Sequence, residues 1–103
     1  MIEVTVRKNG IEMTGHAGQA EKGRDIVCAG ASAIVWALAF GLDRIGEIDE
    51  CDLGSGQARV TAMKRTGETR ESGEARGMLM MAEEGLTAMA QRYPEYVTIR
   101  KIF

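Results

Sequence analysis

The sequence predicts an α+β fold, a layered sandwich of a mainly antiparallel sheet and two helices in the order β-β-α-β-β-α-β. Three observations carry this reading. Apolar and polar residues alternate on both sides of Asn9-Gly10; residues 26–42 form a long uncharged run; and residues 74–92 repeat apolar side chains at helical spacing.

In the first element Ile2, Val4 and Val6 alternate with Glu3, Thr5 and Arg7, the period of a strand with one buried face. Asn9-Gly10 then supplies two residues suited to the positive φ of a type I′ hairpin turn. The return strand, residues 11–16, puts Ile11 and Met13 on one face and Glu12, Thr14 and His16 on the other. Residues 17–24 are a polar loop containing Gly18 and Gly23. Asp25 is suited to cap an apolar helix over residues 26–40, with Gly41 as its stop. Residues 43–56 are acidic and glycine-rich, with room for at most one short strand. Residues 57–64 alternate around Ala58, Val60 and Ala62, and residues 66–73 form a second polar loop. Ala75, Met78, Leu79, Ala82, Leu86 and Met89 then mark an amphipathic helix over residues 74–92. Ser72 or Gly73 is its expected cap, and it stops before Pro94. A β-rich strand over residues 96–103 closes the chain.

At 103 residues the expectation is one domain spanning residues 1–103, large enough for its own core. A net charge of −2 argues against a phosphate-binding basic face, so no direct nucleic-acid binding is expected. One histidine and two cysteines make neither a disulfide framework nor a structural zinc site, so no metal is expected. The first ten residues lack the basic-then-apolar pattern of a secretory leader. The apolar run of 17 residues is short for a bilayer and reads as a buried helix. A cytoplasmic protein with reduced thiols and no membrane contact is expected.

The chemistry concentrates at the start of the first helix. With Asp25 as N-cap, Cys28 occupies the third helical position, where unpaired N–H groups and the helix dipole favour a thiolate. The same N–H groups are suited to hold an oxyanion. Asp25, Cys28 and Ser32 are spaced to share one face of the helix, and Ser32 is expected to bond back to the carbonyl of residue 28. A thiolate nucleophile needs a proton acceptor and donor, and His16 is the one histidine in the chain. A cysteine in an apolar helix is also a common inert core residue. Cys51, in the acidic stretch, has no such surroundings.

The run Gly15-His16-Ala17, then Gly23-Arg24-Asp25-Ile26-Val27-Cys28-Ala29, then Ser32, resembles the signature of the ribosomal-processing cysteine protease family Prp. Length and element order match as well. Gly30 stands where that family commonly has alanine, at a cost of about 0.5–1 kcal/mol in helix stability. The resemblance implies a cysteine endopeptidase needing no cofactor, with Cys28 as nucleophile, His16 as general base and acid, and Asp25 and Ser32 in support. It further implies a mobile loop around Gly18 and Gly23, a homodimer, and, as substrate, large-subunit ribosomal protein twenty-seven with an N-terminal extension. Alternatives are a phage-encoded relative acting on a phage protein and a non-enzymatic ribosome-associated interaction module. A further one is a thiol sensor pairing Cys28 with Cys51.

Overall fold

The structure is a computed structural model and describes residues 1–16, 18, 25–64 and 68–103. Strands β1 (Ile2–Arg7) and β2 (Gly10–Thr14) are followed by helix α1 (Ile26–Arg44) and strands β3 (Ile48–Gly54) and β4 (Gln57–Ala62). Helix α2 (Arg70–Arg92) and strand β5 (Val97–Ile102) complete the chain. The five strands form one sheet in the order β3-β4-β2-β1-β5. Every pairing is antiparallel except β5 with β1, which is parallel. The element order expected from the sequence is the one found.

The alternation in β1, β2 and β4 decides where the core lies. Ile2, Val4, Val6, Ile11, Met13, Ala58, Val60 and Ala62 point to one face, which the two helices cover. Val27, Ala31, Val35, Leu38, Ala39 and Leu42 of α1, with Ala75, Ala82 and Leu86 of α2, supply the other half of the core. The opposite sheet face is polar. There Glu12 Oε1 lies 3.1 Å from Arg7 Nε and 3.6 Å from Arg59 Nη2, and Arg59 Nε lies 3.6 Å from Glu50 Oε2. At this exposure such pairs order the surface more than they stabilise the fold.

The helices pack antiparallel through glycines. A β-carbon added at Gly30 would meet Met89 Cε at 3.2 Å, one at Gly41 would meet Met78 Sδ at 3.0 Å, and one at Gly85 would meet Ile34 Cδ1 at 3.1 Å. Ascending positions in α1 thus meet descending positions in α2. Gly30, the departure from the family pattern, makes room for Met89.

Several boundaries differ from the sequence expectation. The β1–β2 turn is Lys8-Asn9, with Gly10 already in β2 opposite Arg7, and neither Asn9 nor Gly10 has the positive φ of the expected type I′ turn. Strand β4 ends at Ala62, and β5 is one residue shorter at each end than expected. Helix α1 does not stop at Gly41 but continues to Arg44, because that glycine serves helix packing rather than termination. The acidic stretch holds a full seven-residue strand, β3. It pairs only with β4, and Asp49, Glu50, Cys51 and Asp52 are all exposed, so an outer edge strand has no need of apolar alternation. Helix α2 begins at Arg70, four residues early. Thr69 is its cap, with the Ser72 N–H donating to Thr69 Oγ1 and the Thr69 N–H to Ser72 Oγ, both at 3.0 Å. Strand β2 ends at Thr14, leaving His16 two residues beyond it. Of the expected mobile loop, Gly18 is exposed with φ +73°, while Gly23 and its neighbours lie outside the described residues.

Candidate active site

The topology collects the candidate residues at one end of the sheet. Thr14 pairs with Gln57 and with Glu3, and Ile2 pairs with Val97, so the end of β2, the β3–β4 turn and the starts of β1 and β5 lie at the same end of the strands. Helix α1 joins β3 through residues 45–47, where the Glu47 N–H donates to Leu42 O at 2.9 Å. Its C-terminus therefore sits at the far end, by the start of β3, and its N-terminus returns towards the β3–β4 turn. The antiparallel helix pairing agrees: α2 delivers its C-terminus to the start of β5 beside the first turns of α1.

Asp25 caps α1 as its sequence position indicates. With φ −82° and ψ 104° it stands outside the helix, and its Oδ1 accepts the Cys28 N–H at 3.0 Å. Asp25 is 8% exposed, so this carboxylate is held in place rather than solvated. Cys28 is half-buried in the first turn, packed on the core while still open to one side. Because Asp25 takes the Cys28 N–H, that donor is not available to an oxyanion as the sequence had suggested. Ser32, one turn further on, is also half-buried. Among the described residues its hydroxyl has no hydrogen-bond partner, so the expected back-bond to the carbonyl of residue 28 is not made.

His16 is exposed and rests on the β3–β4 turn. Gly15, at φ +91°, turns the chain out of β2, and its N–H donates to Gly56 O at 2.8 Å. The imidazole then lies against the Gly56 α-carbon. The structure thus brings His16 and Cys28 to the same end of the molecule, although among the described residues no hydrogen bond or ion pair joins their side chains. Cys51 lies exposed in the middle of β3, opposite Val60. Among the described residues no group of three or more His, Cys, Asp and Glu side chains is arranged to hold a metal.

What this arrangement offers is a thiol held at a helix N-terminus and an accessible imidazole at the same sheet end, the two groups that acyl transfer through a thioester requires. Sequence reasoning missed Gly56, whose importance depends on a contact across 40 residues of chain. The one local signal is the Ser55-Gly56 pair ahead of an alternating strand.

Residues 1–98 match the family model described as cysteine protease Prp. The ribosomal processing cysteine protease Prp of Bacillus subtilis is 48% identical over an alignment of 42 residues, which covers 35% of this chain and 38% of that protein. The match thus spans well under half of that relative's length. Among solved structures, the essential ribosomal processing protease Prp from S. aureus, in complex with a covalently linked product peptide, superposes with a TM-score of 0.81 at 25% identity. That comparison covers 99% of this chain and 100% of the other. SMU.848 from Streptococcus mutans superposes with a TM-score of 0.74 at 29% identity, over 99% of this chain and 94% of that one.

Proposed function

This chain belongs to the cysteine protease Prp family, and from that premise we propose that it is a cysteine endopeptidase acting on a ribosomal protein. The substrate in this reading is large-subunit ribosomal protein twenty-seven, from which the enzyme removes an N-terminal extension. The observation that carries the proposal is the placement of Cys28. The Asp25 cap fixes it in the first turn of α1, at the sheet end where His16 projects.

The Cys28 thiol gives its proton to His16, and Sγ attacks the carbonyl carbon of the scissile bond. The tetrahedral intermediate collapses as the imidazolium donates that proton to the leaving amine, leaving a thioester. Water, deprotonated by His16, then attacks the thioester, and the thiol is regenerated. Asp25 supports this chemistry by holding the first helical turn, and Ser32 lies one turn beyond the nucleophile on the same face.

The protein acts as a homodimer in the cytoplasm. Helix α1 is apolar on both sides: its inner residues fill the core, while Trp36 and Phe40 stand 49% and 63% exposed in edge contact with each other, ring centroids 6.4 Å apart. Beside them a cavity of about 570 Å³ opens between the helices, lined by Ala33, Ile34, Ala37, Met78 and Met81 among others. Covering this surface with a second copy accounts for the outward apolar residues of α1 without a bilayer.

The test is incubation of the purified extended ribosomal protein with wild type, Cys28→Ala and His16→Ala, followed by intact-mass analysis. A single mass loss matching the extension, abolished by Cys28→Ala and strongly slowed by His16→Ala, is expected. An unchanged substrate mass with folded wild-type protein, or cleavage that survives Cys28→Ala, would overturn the proposal.

A further inference from the structure

A glycine on a different hairpin lies directly against the imidazole of His16. A β-carbon added at Gly56 would lie 2.8 Å from His16 Nε2, 3.3 Å from Cε1 and 3.6 Å from Cδ2. All three are ring atoms, so the imidazole occupies the space that any other residue at position 56 would fill. The two segments are also tied through the backbone by the bond from Gly15 N–H to Gly56 O. Gly56 adopts φ +75°, as the tight β3–β4 turn demands.

We propose that Gly56 is a positioning residue for catalysis, forming with the β3–β4 turn the seat that fixes the imidazole of His16 at the active end of the sheet. The inference rests on the reading of His16 as general base and acid. The turn fixes the backbone at residue 15, and the missing side chain at residue 56 lets the ring settle on the turn. Any β-carbon there drives the imidazole off by about 1 Å before ordinary contact distance is restored. His16 is exposed, so the ring yields while the sheet stays as it is. A displacement of that size at a catalytic group costs up to about 100-fold in rate.

A glycine substitution at positive φ also strains the backbone, and the structure supplies the control. Gly46 has φ +73°, close to that of Gly56, but a β-carbon there would have nothing within 4 Å. The experiment compares Gly56→Ala with Gly46→Ala, each with and without His16→Ala. It measures kcat and KM on the extended ribosomal protein, the rate of Cys28 alkylation by iodoacetamide at neutral pH, and Tm. Asparagine tolerates positive φ better than alanine, so the Gly56→Asn and Gly46→Asn pair keeps the comparison intact if an alanine variant fails to fold.

The expected result is a fall in kcat of about 10- to 100-fold for Gly56→Ala with KM within about threefold, while Gly46→Ala loses a similar amount in Tm and keeps its kcat. In the His16→Ala background, Gly56→Ala adds nothing to either the residual cleavage rate or the alkylation rate. The inference is overturned if His16→Ala is inactive while both Gly56 variants turn over like wild type. Equal losses from the position 46 and 56 variants, or additive losses with His16→Ala, also overturn it. Full activity in His16→Ala instead refutes the assignment of the base, and is read separately.

Discussion

Replacing Asp25 by alanine removes the side-chain acceptor that starts α1, and its effect can be worked from the structure. The carboxylate accepts the Cys28 N–H at 3.0 Å and is 8% exposed. Loss of such a cap costs about 1 kcal/mol. Loss of a negative charge from the positive end of a 19-residue helix adds about 0.5 kcal/mol. The sum of about 1.5 kcal/mol lowers Tm by about 6–12 °C in a domain of this size. Asp25→Asn keeps the acceptor for the Cys28 N–H and loses the charge, whose share at the helix end corresponds to about 2–4 °C, so its Tm should fall less than that of Asp25→Ala. The two variants therefore separate capping from charge. Cleavage should follow the same order, with alanine losing more than asparagine, because fraying of the first turn carries Cys28 with it. Thermal unfolding by circular dichroism and initial rates on the extended substrate supply the numbers. Equal Tm values for the alanine and asparagine variants, or a Tm unchanged in both, would refute the claim that this hydrogen bond holds the nucleophile's turn.

Gly77 lies inside α2 with nothing near its missing β-carbon, so Gly77→Ala should stabilise the fold by about 0.5–1 kcal/mol, read as a rise in Tm. Leu86 of the same helix is fully buried, and Leu86→Ala should cost about 2–5 kcal/mol in urea unfolding, enough to compromise a domain of ordinary stability. Phe40→Glu places a charge on the exposed apolar face of α1. Sedimentation velocity should show a monomer with an unchanged circular dichroism spectrum, and a persistent dimer would move the interface elsewhere.

Legibility followed the reach of each signal. The β1–β2 hairpin and the Asp25 cap were readable because their causes are local: alternation on both sides of a short polar turn marks the hairpin, and a carboxylate three residues before an N–H specifies the bond. The type I′ turn expected at Asn9-Gly10, in contrast, is not formed. The edge strand β3 was under-read because a strand with one neighbour carries charge on both sides. Gly41 looked like a helix stop because its true partner, Met78, is on another helix. The parallel pairing of β5 with β1 joins the two ends of the chain and leaves no trace in local alternation. At the site, Asp25, Cys28 and Ser32 lie within two helical turns of contiguous chain and are legible together. The contact of His16 with Gly56 exists only after the sheet has formed.

The central claim is that Cys28, and not Cys51, is the nucleophile. The most direct measurement is to trap the enzyme with an electrophilic peptide ending in the substrate's cleavage sequence, digest it, and locate the adduct by tandem mass spectrometry. The account predicts one adduct per chain, on Cys28, absent in Cys28→Ala, slowed in His16→Ala and unaffected by Cys51→Ser. An adduct mapping mainly to the exposed Cys51, or equal labelling of both thiols at the same rate, would contradict it.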